Sequence, residues 1–230
     1  MDQGDIPMRD PSRSADGTRS RERGFRAMMT DLRIERLRMA LASREHRRVA
    51  RDPHHHEAAV AVVVRPAADL EILFIRRTER EGDPWSGHIA FPGGRRSVTD
   101  RGLDITAIRE TEEETGIALR GDGALLGPLD EVEPGTRRLP PFVIAPFVAV
   151  VAPDTIAVPD PREVVHAAWI PLRVLRDPQA RSEMVIRRAD VEHRFPSIIW
   201  EDYVIWGLTF RVVERFLEAL GMADRGGPDL

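Results

Sequence analysis

Hydrophobic residues recur along the chain with two different periods, and these periods predict both helices and strands. Spacings of three and four residues predict an amphipathic helix at residues 28 to about 44, inside an N-terminal helical segment at 25–52. The same spacing predicts a central helix at 103–115 and a terminal helix at 203–220. A glycine follows each of the last two helices, where left-handed backbone commonly ends a helix.

Short apolar runs rich in Val, Ile and Ala predict strands around the central helix. They cover residues 58–64, 70–76, 89–91, 123–129, 142–151 and 164–170. Strands on both sides of one central helix, followed by a terminal helix, favour an α+β fold over a regular parallel one. We therefore predict an α/β/α sandwich with a mixed sheet.

The two ends of the chain are polar and show no apolar period, so we predict that 1–24 and 223–230 are disordered. Between them we place a folded domain at 53–222. No apolar run approaches the roughly 20 residues of a membrane span, and no secretory apolar segment is evident. We expect a cytoplasmic protein that binds neither membrane nor nucleic acid, and the sequence leaves open whether it is a monomer or a homodimer.

Composition excludes several chemistries. All 34 basic residues are Arg, and the chain contains no Cys. The absence of Lys excludes Schiff-base catalysis, and the absence of Cys excludes thiolate nucleophiles, disulfides and Cys-ligated metals. The formal net charge is −4 at pH 7.

The central helix contains four glutamates within the octet 109–116. At about 100° per residue, Glu110, Glu113 and Glu114 share one side and Glu112 points away. Like charges so close need a cation, and oxygen-only ligands suit Mg²⁺ or Mn²⁺, whereas a solvated acidic helix face explains the octet equally well. The opposite side is expected to face the core through Ile105, Ile108 and Thr111.

A Pro-Gly-Gly turn upstream of this helix favours the metal site over the solvated acidic face, because it lets the backbone approach a ligand closely. The order Phe91-Pro92-Gly93-Gly94, Asp100, Arg109-Glu110, Glu113-Glu114 and Gly116-Ile117 resembles the Nudix box, G-x5-E-x7-R-E-U-x-E-E-x-G-U with U apolar.

The chain departs from that pattern at two positions. Asp100 stands for the box Glu, with one extra residue before Arg109, and Thr111 fills an apolar slot. The extra residue resembles the coenzyme A pyrophosphatase branch of the family, in which a longer loop follows Phe-Pro-Gly-Gly.

The resemblance implies a loop-helix-loop that binds a divalent metal and hydrolyses a diphosphate. Carried onto this chain, Glu110 or Glu113 activates water while Arg109 orients a carboxylate. The implied metal ligands are Glu110, Glu113, Glu114, the backbone of Gly94 and, from outside the box, Glu163. Glu131 and Glu133 are alternatives to Glu163.

Basic and aromatic residues before and within the box predict the substrate contacts, because arginine suits bidentate binding of phosphate. The predicted set is Arg76, Arg77, Arg80, Trp85, Arg95 and Arg96. Part of the segment 73–91 and the Trp206-Gly207 pair resemble the coenzyme A branch, while Trp206 itself is expected to be a core anchor. The predicted substrate is coenzyme A or an acyl-coenzyme A, with ADP-ribose, a nucleotide sugar or a dinucleotide as alternatives and a non-catalytic nucleotide-binding module as another.

Overall fold

The computed structural model describes residues 28, 30–52, 55–81, 85–120, 123–134, 142–188 and 191–221. Both tails that were predicted to be disordered, 1–24 and 223–230, lie outside these residues.

Within the described residues, seven strands form a mixed sheet, as predicted. Strand β1 runs parallel to β6, and the other pairs are antiparallel. The main path is β3-β2-β1-β6-β5, while β4 pairs with β1 and β7 pairs with β2. The strands are β1 (His56–Pro66), β2 (Leu70–Arg77), β3 (Ile89–Ala90), β4 (Gly93–Arg95), β5 (Gly123–Pro128), β6 (Phe142–Val151) and β7 (Val164–Pro171).

Helices cover both faces of this sheet, which confirms the α+β sandwich. The helices are α1 (Leu32–Ala42), α2 (Leu103–Thr115), α3 (Leu172–Arg176) and α4 (Gly207–Ala219). Strand β1 is buried on both faces: Val62 and Val64 join one core with α1 and α4, and Ala61 and Val63 join a second core with α2. The alternation follows from the two-residue period of a strand.

A smaller sheet, which the sequence analysis missed, follows α3. Its order is β10-β9-β8, with strands β8 (Arg181–Arg188), β9 (Val191–Trp200) and β10 (Tyr203–Trp206). The predicted helix at 203–220 was therefore wrong in its first four residues. Its helical part, α4, begins at Gly207, whose φ of 64° only glycine adopts easily.

The Pro-Gly-Gly turn continues into the short strand β4, whose Gly93 lies opposite Val60 of β1. No helix in the described part of the chain is long and apolar enough to span a membrane.

Candidate functional site

Helix α2 turns its carboxylate-bearing side towards the sheet. Its buried residues are Thr106, Ala107, Thr111, Glu114 and Thr115. Of the three residues expected to face the core, Thr111 is buried and Ile108 packs against the core, whereas Ile105 is only half-buried. The buried side of the helix extends further than predicted, because it also includes Glu114. The three glutamates consequently differ in exposure: Glu114 is buried, Glu110 is partly buried, and the Glu113 side chain is 56% exposed.

Glu114 is the most deeply buried carboxylate of the site, and its side chain is 1% exposed. Its Oε2 accepts a hydrogen bond of 2.8 Å from the Gly93 N–H, and its Oε1 lies 3.7 Å from Nη1 of Arg77. Burial raises the pKa of Glu114 to about 8. A charged carboxylate at this position therefore needs further positive charge beside it.

Glu110 lies against the backbone of the Pro-Gly-Gly turn. A Cβ added at Gly94 would come within 2.4 Å of the Glu110 carboxyl carbon, so only glycine leaves room for this carboxylate. Burial raises the pKa of Glu110, and the charge of Glu163 contributes to the raised pKa of both Glu110 and Glu114. The backbone places Glu163 near the end of the helix, because the Glu163 N–H donates to the Asp160 carbonyl and the Asp160 N–H donates to the Glu114 carbonyl.

Asp100 holds Arg109 in place beneath the carboxylates. Arg109 donates to Oδ1 and Oδ2 of Asp100 at 3.2 and 2.9 Å, and its Nη1 lies 2.9 Å from Glu110 and 2.8 Å from Glu113. The hydrogen bond from Arg109 holds the pKa of Asp100 well below its usual range. Asp100, at the position of the box Glu, therefore orients Arg109 despite the extra loop residue.

The other departure from the box, Thr111 in an apolar slot, is accommodated by a hydrogen bond within the helix. The Thr111 hydroxyl donates to the Ala107 carbonyl at 2.7 Å within α2. This bond lets a polar side chain occupy a buried position that is apolar in the family pattern.

Replacing Asp100 by Asn removes the negative charge that pairs with Arg109. We expect Asp100→Asn to lower the free energy of unfolding by about 2 kcal/mol, because Arg109 loses its buried partner. Turnover should fall about tenfold, because Glu110 and Glu113 are then held less rigidly. Chemical denaturation and steady-state kinetics measure both. The control is Asp104→Asn, at an exposed position in the first turn of the same helix, and an equal loss in the control would contradict the assignment.

Two of the predicted arginines lie beside the carboxylates. Arg77 faces Glu114, as described above. Arg80 donates from Nη2 to the Arg162 carbonyl at 2.7 Å and lies 3.9 Å from Glu163. Positive charge therefore borders the site on the side of β2.

The other three predicted arginines make different contacts. Arg76 pairs with Asp202 at 2.6 Å and lies over the Tyr203 ring. Arg96 pairs with Glu57 at 2.8 Å, and the Arg95 backbone carbonyl accepts a hydrogen bond from Arg109. The structure thus does not gather all five arginines at one point.

The two tryptophans that the sequence singled out contact different aromatic partners. Trp85 stacks on Phe142 with ring centroids 5.8 Å apart. Trp206 was expected to be a core anchor, but it is only half-buried and its ring contacts His88 and Phe195.

The alternatives to Glu163 have different surroundings. Both carboxylate oxygens of Glu131 bind Arg51, and one also accepts from the Val49 N–H, so this side chain is already held. The Glu133 carbonyl accepts a hydrogen bond from Arg211. The charge of Glu163, in contrast, contributes to the raised pKa of Glu110 and Glu114.

Sequence analysis did not find the role of the Gly93 N–H, which fixes the Glu114 carboxylate. A backbone donor leaves no side-chain signal, and the Gly-Gly pair itself was the one available sign. The pair permits the close approach of α2 to β4.

The side-chain atoms available as ligands are carboxylate oxygens, which suit a hard divalent cation. These carboxylates are not arranged around a common point. Among the described residues, no three His, Asp or Glu side chains are arranged to hold a metal ion. Arg109 and the Gly93 N–H hold the carboxylates instead. Glu110 and Glu114 are partly or fully buried and have raised pKa values, so their charged forms need a nearby cation. Mg²⁺ or Mn²⁺, which prefer oxygen ligands, would stabilise these charged forms.

The fold and this carboxylate helix define a class of hydrolases. Residues 54–192 match the family model described as the NUDIX domain. The match covers more than half of the chain, so the chain belongs to the Nudix family. It is a Nudix diphosphatase, which hydrolyses phosphorus anhydrides, and enzymes of this family generally use divalent metal ions.

Similar proteins come from a yeast and from bacteria. Uncharacterized protein C14C4.10c of Schizosaccharomyces pombe is 38% identical over 118 residues, which are 50% of this chain and 36% of that protein. The uncharacterized Nudix hydrolase NudL of Yersinia enterocolitica is 31% identical over 172 residues, 74% of this chain and 83% of that protein. A solved MutT/nudix family protein from Enterococcus faecalis has 15% identity and a TM-score of 0.48, covering 94% of this chain and 81% of its own.

Proposed function

We propose that the chain hydrolyses the diphosphate of coenzyme A or an acyl-coenzyme A, giving 3′,5′-ADP and a phosphopantetheine. The observation that supports the reaction is the buried Glu114 carboxylate, fixed by the Gly93 N–H beside Glu110 and Arg77. The substrate class is supported by the segment 73–91, the extra loop residue before Arg109 and the Trp206-Gly207 pair.

In this proposal the site binds Mg²⁺ or Mn²⁺ through carboxylates. Glu110, Glu114 and Glu163 would hold the ion with the Gly94 backbone, and the exposed Glu113 would bind at the solvent side. When bound, the ion supplies positive charge against the diphosphate and makes an attacking water more acidic. Loss of turnover on chelation, with recovery on adding either ion, is the expected result.

Side chains of the site bind the diphosphate and accept the proton of the attacking water. Arg77 and Arg80 bind diphosphate oxygens, because a planar guanidinium donates two parallel hydrogen bonds to phosphate. Glu110 or Glu113 accepts the proton of the attacking water, and Arg109 keeps both in position. The water oxygen bonds to phosphorus, and the bond from phosphorus to the bridging oxygen breaks.

A substrate panel tests the proposal. Coenzyme A, ADP-ribose, a dinucleoside polyphosphate and a deoxynucleoside triphosphate are compared by kcat/KM with Mg²⁺ and with Mn²⁺, and products are identified by mass. We expect coenzyme A to be preferred and to yield 3′,5′-ADP. A tenfold preference for ADP-ribose or the dinucleotide would favour the alternative substrate class, and binding without turnover would favour a nucleotide-binding module.

A further inference from the structure

The small sheet turns one face to the core and leaves its other face outward. Ile198 and Ile205 belong to the core and are buried, whereas Phe195 and Ile199 are 37% and 42% exposed. Because side chains alternate along a strand, the residues in register with Phe195 and Ile199 share their face. We call this surface the outer apolar face; it consists of Met184, Ile186, Phe195, Ile199, Val204 and Trp206.

The outer apolar face is continuous with the proposed diphosphate site. The Trp206 ring lies 5.7 Å from the Phe195 ring and 4.9 Å from the His88 ring. The His88 backbone carbonyl accepts a hydrogen bond of 3.1 Å from the Arg77 N–H, and His88 is the next residue opposite β2 in this register. Opposed residues on paired strands point to the same side, so His88 lies on the side where Arg77 faces Glu114.

We propose that the outer apolar face binds the pantetheine and acyl arm of an acyl-coenzyme A, and that the enzyme prefers acylated over free coenzyme A. The inference rests on the proposed function, since it places the arm of a substrate whose diphosphate lies at Arg77 and Glu114. A long flexible chain ending in hydrocarbon matches an apolar surface that begins at the diphosphate site. Contiguous exposed apolar surface commonly marks such binding regions.

A buried hydroxyl in the same face supports this assignment. Ser197 lies opposite Trp206 in the ladder and is 1% exposed. Its Oγ has no hydrogen-bond partner among the described residues, although buried polar groups are nearly always paired. The amide groups of a pantetheine arm have the chemistry to pair with it.

The test compares free coenzyme A, butyryl-coenzyme A and octanoyl-coenzyme A by kcat and KM. In the wild type, we expect kcat/KM to rise about tenfold from coenzyme A to octanoyl-coenzyme A, mostly through a lower KM, because part of the acyl chain is buried. Phe195→Ser should remove most of this ratio. The matched control is Val185→Ser on the other face of the hairpin, where the side chain is also exposed and apolar.

The possible outcomes distinguish failure of the acyl subsite from failure of the proposed function. A chain-length ratio within twofold of one, or a Phe195→Ser variant that lowers all three substrates equally, would overturn the acyl subsite while leaving coenzyme A hydrolysis intact. Absence of any coenzyme A turnover would overturn the proposed function itself. Light scattering tests whether the face pairs two copies of the chain: a dimer that Phe195→Ser dissociates, with an unchanged chain-length ratio, would also overturn the subsite. If Phe195→Ser does not fold, Ile199→Ser on the same face replaces it.

Discussion

Glu114→Gln is expected to lower kcat/KM on the order of a thousandfold. Gln keeps the shape of the side chain and the oxygen that accepts from the Gly93 N–H, so the fold should survive. What it removes is a carboxyl group that can ionise beside the proposed cation, and the hydrolytic chemistry requires that negative charge. Steady-state kinetics on the preferred substrate measures the loss.

A second measurement separates a role in metal binding from other causes of inactivity. Added Mn²⁺ should raise the Tm of the wild type, because a ligand that binds the folded state stabilises it, and should raise the Tm of Glu114→Gln much less. Glu112→Gln is the matched control, since Glu112 belongs to the same helix and is exposed. The control should keep turnover within about twofold and the full response to Mn²⁺. Retention of more than a tenth of the activity by Glu114→Gln would contradict the assignment.

The carboxylate helix could be predicted from sequence, but the burial of Glu114 could not. Glu110, Glu113 and Glu114 share an arc of the helix, and an acidic arc ordinarily faces solvent. Here Glu114 sits within the buried arc, because the Gly93 N–H and Arg77, from other elements, compensate its burial. Periodicity within one helix carries no information about such partners.

The small sheet escaped prediction for a different reason. One face of strands β8 and β9 is largely charged, which weakens the apolar pattern of both strands. Its residues Arg181, Glu183, Arg187, Glu192 and Arg194 form cross-strand and longer pairs on the face opposite Phe195. Pro196 within β9 also weakens the strand signal. In β10, four apolar residues run directly into the amphipathic pattern of α4, and only the glycine between them marks the boundary.

The main sheet was predictable because its strands are buried on both sides. Strands β1 and β6 are almost continuously apolar and pair in parallel over nine positions, from His56–Phe142 to Val64–Val150. Such runs stand out from the rest of the chain without knowledge of their partners. The position of Glu163 beside the helix carboxylates depended on the long connection from β6, which the sequence alone does not orient.

The two glycines of the turn should respond differently to substitution by alanine: Gly93→Ala should mainly lower stability, and Gly94→Ala should mainly lower turnover. A Cβ at Gly93, where φ is 155°, would lie 2.3 Å from the Ala59 carbonyl oxygen and 2.6 Å from the Val60 Cα. Both neighbours are backbone atoms of a central strand and cannot move away cheaply. We expect Gly93→Ala to lower the free energy of unfolding by about 3 kcal/mol and the Tm by roughly 10 °C.

At Gly94 the Cβ would instead meet the Glu110 carboxyl group, at 2.4 Å from its carbon. That side chain can swing away, so we expect Gly94→Ala to keep the Tm within about 2 °C of the wild type. Turnover should fall on the order of a hundredfold, because the substitution displaces a carboxylate that we propose to be catalytic. Thermal denaturation and kinetics on both variants form the test. Equal destabilisation by the two substitutions, or full activity in Gly94→Ala, would show that the Glu110 carboxylate does not depend on the space that Gly94 leaves.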